Sequence, residues 1–166
     1  MLKTITLGLL LATASFGQVV TWAPLFPTRY DTVTIWFNAQ EGSRGLVNAS
    51  EVYVHTGVIT NLSSPPSAWR YYTPWGVNTA ETKMEKAGTD LWKIRFHIQS
   101  YYNVPLSETI LQLAFVFRNA TATRTGKTAD NGDIFTPVYL PGLNLVRIEP
   151  LDSLSFADQG DSVNIR

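Results

Sequence analysis

Two tryptophans, Trp69 and Trp75, stand in a loop-like run that also holds Tyr71, Tyr72, Pro65, Pro66 and Pro74. Directly ahead of it, Val52-Tyr-Val-His-Thr-Gly-Val-Ile59 reads as a strand that breaks into that loop. Flat aromatic faces beside a few polar groups are what a sugar ring needs. Pyranose C–H bonds pack on the electron-rich face, while Asn, Gln, Asp or His side chains take the hydroxyls. The same rings also suit a small core that pins the loop, and residue type alone leaves both readings open.

Other chemistries find little material. The only histidines, His55 and His97, fall on the solvent side of expected strands with no third ligand in view, and there is no cysteine. Zinc and thiol chemistry are therefore not expected. Asp130 and Asp133 flank the Asn131-Gly132 pair and are candidates for calcium, but that ion takes about 6–8 oxygens. Turn formation explains the two carboxylates at least as well. The chain has no HExxH, GxSxG, Walker loop or GxGxxG, and no recognisable pair of glycosidase carboxylates. No catalytic residue, metal or cofactor is assigned.

The elements that must hold the rings are strands. Thr32-Val-Thr-Ile-Trp-Phe-Asn38 puts Val33, Ile35 and Phe37 on one face and Thr32, Thr34 and Trp36 on the other. Leu91–Ile98 alternates Trp92, Ile94, Phe96 and Ile98 against Lys93, Arg95 and His97. Trp36 and Trp92 accordingly read as core or sheet-face residues. In Ile110–Arg118, Leu111, Leu113, Phe115 and Phe117 face one way and Ile110, Gln112, Ala114 and Val116 the other. Near-continuous apolarity there predicts a central strand. Val19–Trp22 opens the fold, and Ile134–Leu140 is an edge or bulged strand because of Pro137. A short helix near Leu106–Ile110 is left open. Asn131-Gly132 signals a tight turn.

Strands parted by Gly, Pro and Asn turns, with no alternating helices, predict an all-β, antiparallel sandwich. The run Leu62–Asn78 is longer than a mere connection requires, which marks it as functional.

At 166 residues, 45 % of them apolar, the chain suffices for one domain with its own core. Its 13 basic and 13 acidic residues balance, and no basic run exists, so nucleic acid is not an expected partner. Lys3, the apolar stretch Ile5–Phe16 and the small residues Ala14, Ser15 and Gly17 form a signal peptide over 1–18, with cleavage near Gly17/Gln18. A secreted or cell-surface location follows, with no membrane span in the mature form, since a span takes about 20 apolar residues. Sequons stand at Asn48, Asn61 and Asn119. The sandwich domain is expected over 19–145, and 146–166 reads as a linker or the opening of a second, truncated sandwich.

Taken in order, Val52–Gly57, Trp69, Lys83-Met84, Asp90–Ile94, Leu113–Asn119 and Asn131–Phe135 resemble the starch-binding carbohydrate-binding modules of families twenty-five and twenty-six. The arrangement also looks like the domains that precede α-amylase-family barrels in secreted Bacteroidetes proteins. The resemblance covers about residues 30–140 and lies in the order of short motifs. It implies an immunoglobulin-like sandwich. By position it points to Tyr53 or His55 on the strand, Trp69 in the loop, Trp75 as a second platform and Asn131 as a hydrogen-bonding partner. The chain departs from the pattern in the longer gap from His55 to Trp69 and in the added Thr121–Thr128 segment.

The expected function is non-catalytic binding of an α-glucan polysaccharide or malto-oligosaccharide, in the service of a downstream catalytic domain of a glycoside hydrolase. The alternative is a structural spacer whose loop rings pack on that neighbouring domain without binding sugar. A small hydrolase acting alone is the least supported reading.

Overall fold

Alternation at period two decides which face of a strand is buried, and two strands keep it unbroken. In β2 (Thr32–Asn38), Val33, Ile35 and Phe37 point inward and are buried, with Thr34 and Trp36 half-buried between them. In β5 (Leu91–His97), Trp92, Ile94 and Phe96 are buried between Lys93, Arg95 and His97. The structure, a computed structural model, describes residues 17–142. Apart from Gly17 and Gln18, the expected signal peptide lies outside the described residues, as does the expected second domain at 146–166.

The other strands are β1 (Val20–Ala23), β3 (Tyr53–Thr60), β4 (Glu85–Gly88), β6 (Ile110–Arg118), β7 (Thr125–Gly126) and β8 (Ile134–Pro137). One helix, α1 (Ile98–Tyr102), is present among the described residues. The first sheet has the order β1-β2-β5-β4. In the second, β6 lies between β3 and the pair β7 and β8. All these strand pairings are antiparallel. Taken as one interrupted strand, β7 and β8 complete the order ABED against CFG. That is the Greek key of an immunoglobulin constant-type sandwich. Among the described residues no helix is long and apolar enough to cross a membrane.

The core fills the space between the sheets. Phe37 of the first sheet stacks on Phe117 of the second, with ring centroids 4.0 Å apart and planes 15° apart. Phe115 continues the stack 6.0 Å from Phe117. Gly126 lies against this stack, where an added Cβ would collide with the Phe37 ring.

Two expectations are corrected. Leu111 does not share the inward face of Leu113, Phe115 and Phe117. A register shift between Ile59 and Thr60 sets Thr60 opposite Ile110, so Ile110 is buried and Leu111 is 45 % exposed. The helix forms at Ile98–Tyr102, not near Leu106–Ile110. Ile98 and Tyr102, four residues apart, share a buried helix face, and the His97 Nδ1 accepts the Ser100 N–H at 3.2 Å as the cap. Leu106 is 72 % exposed and offers no such anchor. The tight turn signalled by Asn131-Gly132 is present, with Asn131 N–H donating to Thr128 O at 3.0 Å. Thr128–Gly132 is an excursion between β7 and β8, both of which pair with β6.

Phe117→Ala is expected to destabilise the domain by about 3–5 kcal/mol, because a ring is lost from a stack with nothing nearby to refill it. Denaturant unfolding followed by far-UV circular dichroism measures this.

Candidate functional site

An open edge of β3 would be a row of unpaired backbone groups. The segment between β3 and β4 closes that edge. Val58 and Arg70 exchange two backbone hydrogen bonds (2.9 and 2.8 Å), Thr73 N–H donates to Thr56 O (2.8 Å), and Val54 N–H donates to Thr82 O (2.8 Å). The segment thus serves as an irregular edge strand whose side chains lean over the outer face of the second sheet. Gly57 permits this approach: an added Cβ would stand 2.8 Å from the Tyr72 Cβ and 3.0 Å from the Arg70 carbonyl oxygen.

A buried carboxylate fixes the loop's base. Glu108, 6 % exposed, accepts hydrogen bonds from Arg70 Nε and Nη2 (3.1 and 3.0 Å), Tyr71 hydroxyl (2.5 Å) and Thr60 hydroxyl (3.0 Å). The Tyr71 hydroxyl first, then the Arg70 guanidinium and Thr60, hold its carboxyl below the usual range despite burial. Glu108 is itself located by Arg29. That buried guanidinium donates to the Glu108 carbonyl (2.7 Å), to Val104 O (2.8 Å) and to the Gln99 side chain. Trp69 and Tyr72, which bracket the tethered pair Arg70-Tyr71, are thereby placed.

The result is a groove of about 430 Å³ lined by His55, Trp69, Tyr72, Trp75, Val116, Lys127 and Asp133. His55 is its centre. Trp69 lies nearly parallel to the imidazole (5.1 Å, 20°), Trp75 nearly perpendicular (5.0 Å, 86°) and Tyr72 oblique (6.2 Å, 61°). Phe135 of β8 backs Trp69 edge-on at 6.5 Å. Trp75 is 49 % and Tyr72 60 % exposed. Across from the rings, Lys127 Nζ pairs with Asp133 Oδ1 at 3.1 Å. These two residues bound the 128–132 excursion, so the interruption of the last strand supplies the polar wall.

Of the residues named from sequence, the structure brings His55, Trp69 and Trp75 together. Tyr53 lies outside the groove, one step along the same face. It is 7 % exposed and covered by Arg118 (5.2 Å to the ring centroid) and Lys83 (5.9 Å). Asn131 is also outside: it occupies the left-handed region (φ 61°) of the turn, exposed to solvent. Its neighbour Asp133 is the one that faces the rings. Asp130 accepts the Thr128 hydroxyl (2.5 Å), a turn contact that, with nearby backbone N–H groups, keeps its carboxyl low. Among the described residues no three His, Cys, Asp or Glu side chains gather as a metal site. Sequence reading left Lys127 out. The signal available was the Asn-Gly pair cutting an edge strand, since the residues at the mouth of such a loop are drawn together.

Trp69 does double duty. It is half-buried against His55 and Phe135, and its indole N–H is buried without a hydrogen-bond partner. Packing must offset that loss, so part of its role is to pin the loop. The exposed ring surface of the groove belongs mainly to Trp75 and Tyr72.

These features define a class, an immunoglobulin-like sandwich with an aromatic groove on the outer face of its CFG sheet. The model of a protein family described as a domain of unknown function, DUF8578, matches residues 20–125, and the chain belongs to that family. The match takes in His55, Trp69, Tyr72, Trp75 and Val116 and ends before Lys127. No curated protein matches the chain.

Burial, aided by the Arg118 charge, lowers the pKa of His55 against the opposing influence of Thr73 and Asp133. The unfolded imidazole takes its proton at about 6.5, and the folded one only at lower pH. The stability linked to His55 is therefore whole above about 6.5 and declines as pH falls from there toward the folded value. The melting temperature is expected to drop between pH 7 and pH 5, with a shallower drop in His55→Gln. Glu108→Ala is expected to free the loop, read as faster proteolysis within residues 61–84 while the sandwich remains folded.

Proposed function

We propose that this domain binds an α-glucan, such as a malto-oligosaccharide or starch, without catalysing its cleavage. The observation that carries the reading is the groove around His55, where ring faces stand opposite the Lys127–Asp133 pair. A pyranose needs both an apolar platform and adjacent donors and acceptors for its hydroxyls. Trp75 and Tyr72 offer the platform, Asp133 the acceptor and Lys127 the donor. His55, neutral near pH 7, offers either role.

Ring orientation favours an α-linked chain. A flat β-1,4 ribbon stacks best on coplanar rings, whereas Trp69 and Trp75 meet the His55 plane at 20° and 86°. Rings turned through such angles suit a chain that curls. The resemblance to starch-binding modules points the same way, and with it comes the role of an exported domain that holds an attached glycoside hydrolase to its polysaccharide. Two or three sugars on such a surface give millimolar to micromolar binding, on the order of 4–8 kcal/mol.

Titrating the full chain with maltotriose while following tryptophan fluorescence tests this, with cellotriose as the control. A saturable change is expected with the α-glucan alone, and Trp75→Ala should weaken it about tenfold or more at unchanged thermal stability. A flat trace from the folded protein would overturn the reading and leave Trp75 and Tyr72 as contacts for a neighbouring domain.

A further inference from the structure

A second cavity, of about 440 Å³, opens on the other side of the Thr73–Pro74 stretch, against the end of β5 and α1. Thr73 is a wall of this cavity while its hydroxyl lies 3.5 Å from His55 Nδ1 in the first. Pro74 lines the second cavity and its neighbour Trp75 the first. The two spaces are thus parted by one ridge of backbone.

The second cavity also sets aromatic rings beside polar groups, on a more apolar lining than the first. Its apolar side is formed by Phe96 and Tyr101, whose ring centroids are 4.5 Å apart. The Tyr101 hydroxyl donates to the Glu81 carbonyl oxygen at 3.1 Å, which fixes the ring. Burial pushes that hydroxyl up to about 12, so it stays a neutral phenol. Around the rings stand the Glu81 carboxylate, Ser100 and His97. The Glu81 backbone N–H and the Thr79 hydroxyl hold that carboxyl below its usual range. His97 uses Nδ1 to cap α1, which leaves Nε2 for another partner. Pro74 and Val77 extend the apolar side, and the polar groups stand at its rim, so the apolar face of a sugar ring and its hydroxyl edge each find a counterpart.

We propose that this cavity is a second subsite for further pyranose units of the same glucan, so that a longer chain crosses the Thr73–Trp75 ridge with sugars on both sides. The proposal rests on the glucan reading above. Joining two subsites through one ligand raises affinity, because the second unit arrives at high effective concentration.

Calorimetry on the full chain with maltotriose and with maltoheptaose tests it, using wild type, Glu81→Gln and Tyr101→Ala. Wild type is expected to bind maltoheptaose about tenfold more tightly than maltotriose. Both variants should remove most of that advantage and leave maltotriose binding unchanged. Glu81 is at the surface, so its variant keeps the test intact if Tyr101→Ala fails to fold. Equal wild-type affinities for the two sugars, or an advantage that survives both variants, would overturn the second subsite and leave the first. Failure of wild type to bind either sugar removes both.

Discussion

One buried carboxylate organises this protein's outer surface. Glu108 lies at the end of the β5–β6 connection, yet its four hydrogen-bond donors come from β3 and from the loop after it. Buried charge is tolerated only when such partners are complete. Arg29 completes the arrangement from behind by holding the Glu108 backbone. The chain of contacts runs from the β1–β2 connection, through the β5–β6 connection, to the base of the aromatic loop. Ring positions in the groove are therefore inherited from a polar network on the opposite side of Arg70-Tyr71.

The frame itself depends on apolar packing and was largely readable. Period-two alternation in Thr32–Asn38 and Leu91–His97 survives unchanged in β2 and β5, because each faces the core along its whole length. Val52–Ile59 and Ile110–Arg118 pair as β3 and β6, and β6 is central in the second sheet, as the apolar density of Ile110–Arg118 predicts. What the pattern could not reveal was the slip at Ile59/Thr60. An apolar residue on each side of a bulge looks the same as an uninterrupted strand. The helix was misplaced for a related reason: its cap is a histidine, outside the usual Ser, Thr, Asp and Asn set.

The site was half legible. Trp69 and Trp75 announced themselves as rings in a Pro-rich loop, and His55 as their neighbour on the preceding strand. Tyr53 shares the His55 face, but cationic side chains cover it, and Arg118 and Lys83 reach it from distant parts of the chain. Lys127 and Asp133 are brought to the groove by the two mouths of a turn, a relation fixed by where the strand resumes. Such long-range juxtapositions leave no local periodicity to read.

The aromatic loop has a second consequence, for the edge of the sheet it lies against. By bonding to Thr56, Val58 and Val54, it occupies the backbone seam along which another chain would otherwise add itself to the CFG sheet. In a domain without disulfides, nothing covalent holds that cover in place. The residues that shape the groove therefore also cover an edge at which another strand could pair. A substitution in the loop therefore acts on the cover of the β3 edge as well as on the shape of the groove.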